Sequence, residues 1–296
     1  MTRAIRKTPL EKPPPPKRRL EFDFDPAAVP RDWYRGDAHL TTFWNALSLL
    51  FPEGERFFVE AVRRFRDRID DPAQRAAIDG FVAQEAMHGR AHRLFNDMLR
   101  QRDLAVSADA EAQLRRLLAF ARRTLTPKGQ LAVTCALEHF TAILAEQLLQ
   151  RDDHRESGHP SVQPLWTWHA LEESEHKAVA YDVYEAVGGT YGMRVGLMLV
   201  TTAIFFAEAA NVHVKFLRAD GELWNVRGWA RAMDYFWLRP GLFRALVPAY
   251  FDYFRPGFHP DDRDTASLLA TWRERLFGRE GELRGLLLVE SMQKAV

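Results

Sequence analysis

The chain has 296 residues, 47% hydrophobic and 27% charged, enough to bury a sizeable core in one large domain. Its 41 Lys and Arg balance 40 Asp and Glu for a formal net charge of +1, which gives no electrostatic case for nucleic acid as a partner. A single cysteine, Cys135, excludes an internal disulfide and points to a reducing compartment.

Residues 1–19 carry seven basic side chains against one acid, Glu11, together with the run Pro13 to Pro16. No apolar period runs through them, so residues 1–20 are expected to form a disordered basic, proline-rich arm. Its ordinary use is as a solubilising tail, with contact to acidic lipid or to a partner as the alternative. No apolar stretch follows the basic residues as in a secretory signal, so a cytoplasmic protein is expected, with peripheral membrane contact left open.

A helix is expected to start near Pro52 and to run to about Ile69. Asp71-Pro72 and Thr126-Pro127 each pair a capping side chain with a proline suited to the first helical position, so each opens a helix. A leucine-rich stretch over 107–125 connects those two. Pro164 lies near the start of a further helix, which Gly188-Gly189 ends. The longest uncharged apolar run, Val195 to Ala207, has thirteen residues. A membrane span needs about twenty, which favours a buried or interfacial helix. No stretch alternates at strand period for long, so the chain reads as all-α. The expected division is a bundle over 21–190, additional aromatic-rich helices over 191–278 and a tail over 279–296.

The helix faces carry the chemistry. One stripe runs Ile78, Phe81, Glu85, His88, His92, Phe95, Leu99, at alternating spacings of three and four. A second places Glu138 among Leu131, Cys135, Ala142 and Ala145. A third holds Trp166, His169, Glu173, His176, Ala180 and Val183, and a fourth places Glu55 among Phe51, Val59 and Val62. Four helices thus aim carboxylates or imidazoles inward at mid-length, with no Lys or Arg on the central stripes. Buried carboxylates must be paired, protonated or metal-bound. Two divalent cations balance four carboxylates. Di-iron bundles use one Glu from each of two helices and Glu-x-x-His from each of the other two. Here Glu55 and Glu138 are the single glutamates, while Glu85-x-x-His88 and Glu173-x-x-His176 are the paired motifs. Glu55, near the expected helix start, has the alternative of favouring the helix dipole. His169 also falls on the ligand stripe and is favoured as a ligand. His92, Glu172 and His139 stay open between metal ligation and outer support.

The segments around Phe51 to Phe58, Gln84 to His88, Glu138 to Ala142, Trp168 to Lys177 and Arg255 to Pro260 resemble a bacterial family described as predicted metal-dependent hydrolases. The resemblance covers roughly residues 20 to 275 and implies metal-dependent hydrolysis. The spacing His169-x3-Glu173-x2-His176 is also similar to that of di-iron arylamine N-oxygenases, which implies His169 as a seventh ligand. That second likeness concerns the site alone.

Together these readings give an all-α, ferritin-like four-helix bundle with extra C-terminal helices and two metal ions. Iron is preferred, then manganese, and zinc last, because a nitrogen- and oxygen-rich set of six or seven ligands exceeds the usual tetrahedral zinc site. Dioxygen-dependent oxidation of an apolar small molecule is the expected reaction, served by an electron-donor protein. A two-metal hydrolase is the alternative and metal storage the third reading. The aromatic residues after 191 argue against storage. A homo-oligomer is left open.

Overall fold

Asp37 accepts a hydrogen bond from the Leu40 N–H and so starts helix α1, Ala38–Arg63. We describe residues 13–288, as placed in a computed structural model. The expected start near Pro52 is therefore corrected: Pro52 lies inside α1, and Glu55 sits mid-helix, away from the helix N-terminus. Asp71 and Pro72 open α2, Pro72–Arg102, where the Asp71 carboxylate accepts from the Ala73 N–H. The connecting helix α3 spans Leu104–Thr124. Thr126 caps α4, Pro127–Gln150, through the Gly129 N–H.

A short turn of helix, α5 (Asp152–Arg155), leads to α6, Gln163–His176, and α7, Val179–Ala186. The helix expected to run unbroken to Val187 is interrupted at Lys177 and Ala178. There the Lys177 ammonium reaches the Arg263 carbonyl and the Thr265 hydroxyl of a later segment. Gly188, at φ +73°, ends α7 in the left-handed region. Four more α-helices follow among the described residues: α8 (Tyr191–Ala219), α9 (Val226–Met233), α10 (Leu242–Asp252) and α11 (Ala266–Phe277). Among the described residues there are helices, turns and two isolated bridges, and no strand. The protein is all-α.

Helices α1, α2, α6 and α4 contact one another in a ring, α1 on α2, α2 on α6, α6 on α4 and α4 on α1. Their facing stripes hold a core of Phe57, Phe81, Phe95, Leu131 and Trp168, all buried. Helix α8 lies across α1 and α4, and α10 packs on α4.

The expected disordered arm is held over residues 13–20, and residues 1–12 lie outside the described residues. Pro15 is buried where its carbonyl crosses α2 at Gly80, a position at which a Cβ would stand 2.4 Å from that oxygen. Leu20 is buried and bridges to Leu287. Arg18 enters the core and binds Glu172 and Glu175. Two buried acids attract the guanidinium, which absence of an apolar period gave no reason to expect. Of the expected tail, residues 289–296 lie outside the described residues. Before them, Leu283 is buried and the Leu286 carbonyl accepts from the Glu21 N–H at 3.0 Å.

Candidate metal centre

Seven of the side chains singled out in the sequence converge between the four ringed helices: Glu55 from α1, Glu85 and His88 from α2, Glu138 from α4, and His169, Glu173 and His176 from α6. All seven are buried. Two groups bring donor atoms within 4.8 Å of one another, Glu55 with His88 and His169, and Glu85 with Glu173 and His176. Glu173 stands between them. Its Oε1 lies 2.8 Å from His169 Nε2 and 3.6 Å from His88 Nδ1, while its Oε2 lies 3.6 Å from His176 Nε2. Glu85 Oε1 lies 3.0 Å from His176 Nε2 and 3.8 Å from His88 Nδ1. Glu138 Oε2 lies 3.5 Å from His176 Nε2, which extends the second group. Gly89 lets α1 approach: a Cβ there would stand 3.1 Å from Glu55 Oε2.

The fit to cations can be read from atoms left without partners. Among the described residues, both carboxylate oxygens of Glu55, Glu85 and Glu138 have no hydrogen bond, nor do Glu173 Oε2, His88 Nδ1 and His176 Nε2. Such atoms in a dry core cost free energy unless something positive lies among them. Without a cation the cluster must share protons. Burial, reinforced by Glu85, drives the carboxyls of Glu55 and Glu138 well above the usual range. Against the cost of burial, His176 and His169 hold Glu173 well below it. Burial also opposes charge on His88, yet Glu172 and Glu85 outweigh it and raise His88 to about 10. Oxygen and imidazole donors of this kind suit divalent first-row metals.

The three open residues now separate. Glu172 lies behind His88: its Oε2 is 3.1 Å from His88 Nε2, the nitrogen facing away from the cluster, and Arg18 binds its other oxygen at 2.9 Å. His92 also stands one layer out, with its Nε2 2.7 Å from His169 Nδ1. His139 turns away and donates from Nε2 to the Ala249 carbonyl at 3.0 Å, among Tyr253 and Phe258. It takes no part in the centre.

The outer network fixes which nitrogens face inward. Pro52 has no N–H, so the Ser48 carbonyl one turn earlier lacks its helical donor. Asn96 supplies one, with Nδ2 2.9 Å from that oxygen. The Asn96 Oδ1 then accepts from the Ser48 hydroxyl at 2.7 Å. With its proton committed, Ser48 Oγ accepts from His92 Nδ1 at 2.8 Å. A neutral His92 must therefore accept at Nε2 from the His169 Nδ1–H, which leaves the His169 Nε2 lone pair toward Glu173 and Glu55. Burial, with His169 and His88 nearby, keeps His92 neutral. On the other side, His176 Nδ1 donates to Gln84 Oε1 at 2.9 Å, and Gln84 Nε2 donates to Glu175 at 2.8 Å. Arg18 and Arg273 neutralise Glu175. Sequence reasoning missed Ser48, Gln84, Asn96, Arg18 and Glu175. For the four helical residues the only signal was polarity within a core helix, and Arg18, in the arm outside any helix, gave none.

An apolar pocket adjoins the centre. His169 and Glu173 line it together with Phe51, Phe140, Phe205 and Phe243. Thr141 and Trp166, whose buried indole N–H has no partner among the described residues, also line it.

The sequence matches the family described as "Predicted metal-dependent hydrolase" over residues 16–264. The chain belongs to that family. The family description and the two clusters agree on metal dependence, and neither fixes which metal is bound. No curated protein and no solved structure gives a significant match.

Proposed function

We propose that the chain is a two-metal enzyme acting on an apolar small molecule in the pocket beside His169 and Glu173, and that the reaction is oxidation by dioxygen. In this reading Glu55, His88 and His169 hold one ion, Glu138 and His176 hold the other, and Glu85 and Glu173 lie between. Four carboxylates balance two divalent ions. Two iron ions would supply redox chemistry toward dioxygen, with manganese next and zinc last. Glu172 and Gln84 orient the histidines from behind. The aromatic walls exclude water and hold the substrate by apolar contact. An electron-donor protein would return the metals to the reduced state.

What supports oxidation is the donor set: four carboxylates and three imidazoles suit iron, and the pocket beside them is apolar apart from His169, Glu173, Thr141 and the Trp166 indole. Metal-dependent hydrolysis is the second reading, and the family comparison favours it over the first. One pair of measurements separates them. The iron-loaded, anaerobically reduced protein is mixed with dioxygen, and gas uptake and near-ultraviolet absorption are followed. Apolar esters are offered in parallel without oxygen. Stoichiometric uptake with an absorption change supports oxidation. Inertness to dioxygen, with oxygen-independent ester turnover lost in Glu173→Ala, overturns it in favour of hydrolysis.

A further inference from the structure

Helix α8 is committed on one side only. Met198, Thr201, Ala209, Val212 and Phe216 face the bundle, while the opposite side carries Leu199, Val200, Ile204 and Phe206 at 41–56% exposure. Between Tyr191 and Ala210 this outward side bears no charged side chain: Arg194 is buried, and Glu208 accepts from Gln113 Nε2 at 2.8 Å. A helix facing water normally carries charge there. Burial of the inner side supplies the packing, so nothing in the bundle explains the outer one.

The apolar surface continues across the next elements. Phe206 packs edge-on against Phe243, and Phe243 against Trp237. Thr202 and Tyr250 share a hydrogen bond at 3.0 Å, which seats α10 beside α8. From this region Trp237, Leu238, Val247 and Phe251 project at 37–63% exposure. Residues 226–252 hold four arginines against two aspartates, and Arg227, Arg239 and Arg244 among them are exposed. Interleaved arginine, tryptophan and aliphatic groups on a surface helix are the chemistry of a bilayer interface, where apolar groups enter the acyl boundary and arginines meet anionic headgroups.

The pocket belongs to this face. Phe206 is both a pocket wall and 44% exposed, and Leu246 lines the pocket next to outward Val247. We infer that the α8–α10 face seats on the surface of an anionic lipid bilayer, and that the pocket takes its apolar molecule from the bilayer. The docking stands on the surface alone, whereas the uptake rests on the proposed function. Helix α8 is, by length and composition, the one described helix able to cross a membrane. Its contacts with α1 and α4 instead leave it lying along the surface.

Flotation of the full-length, metal-loaded protein tests this. Vesicles are made of phosphatidylcholine alone or with phosphatidylglycerol, at low and high salt. Binding is expected to anionic vesicles, to weaken with salt, and to be released by alkaline carbonate. The double variant Leu199→Glu, Ile204→Glu is expected to lower binding at least about tenfold, because it puts two negative charges where apolar groups would enter the acyl boundary of an anionic surface. Circular dichroism and metal content should stay unchanged. If that variant misfolds, Val247→Glu with Phe251→Glu serves the same purpose. Absence of flotation overturns the docking. So does resistance to carbonate, which would mean insertion, or a dimer broken by these variants, which would make the face a contact between copies. Flotation in a protein that proves redox-inert and hydrolytic leaves the docking intact and overturns only the proposed reaction.

Discussion

Asn96 donates to the Ser48 carbonyl, the acceptor that Pro52 leaves without its helical partner. The same side chain sets the direction of the Ser48, His92 and His169 hydrogen bonds, so a proline in α1 is linked to the lone pair that faces the centre. Asn96→Ala is expected to destabilise the protein by about 1–3 kcal/mol, the usual cost of a buried unpaired polar group. In a Pro52→Ala background, where the backbone N–H returns, the loss should shrink. Thermal melts of the four proteins in a double-mutant cycle give the coupling. Additive effects would contradict the linkage.

Glu172 supports His88 from outside the centre. Glu172→Gln keeps the shape but removes the charge that draws the His88 Nε2 proton. Metal affinity should fall by roughly 10–100-fold with the helical signal retained. Titration of the apo-protein with ferrous or manganous ion measures it. An unchanged affinity would reduce Glu172 to a partner of Arg18 alone.

Gly89→Val tests the close approach of α1 and α2. The branched side chain would press on Glu55 Oε2, where even a single Cβ stands 3.1 Å away. Occupancy of the group containing Glu55 should drop, while the group around His176 keeps its ion. Loss of both ions together, with the fold intact, would mean that the two groups do not bind separately.

The paired motifs Glu85-x-x-His88 and Glu173-x-x-His176 were legible because spacing of three keeps both donors on one helix face. The all-α fold was legible from the caps at Asp71 and Thr126. Two things were not. Stripes place Glu172, Glu173, His88 and His92 all toward the core, and only the packing of α2 on α6 decides which lie in front. The true start of α1 was hidden because Pro52 usually marks a first turn, and its compensation by Asn96 comes from 44 residues away.

Away from the centre, His154 and His213 are each lowered to about 4 by burial. Both are neutral in the fold at pH 7. Below about 6.5 the unfolded chain takes up protons that the fold resists, so stability is full above that pH and declines as pH falls toward 4. The apo-protein should melt several degrees lower at pH 5 than at pH 7. His213→Gln should flatten that slope, and an equal slope in the variant would show that His213 does not carry it.

The central claim is that two ions sit between these four helices. Anomalous diffraction at the iron or manganese edge, on crystals grown with that metal, tests it most directly. Two peaks about 3.5–4 Å apart are expected, one beside His88 and His169 and the other beside His176 and Glu138, with Glu85 and Glu173 between them. A single peak, a peak elsewhere, or no peak at saturating metal would contradict it.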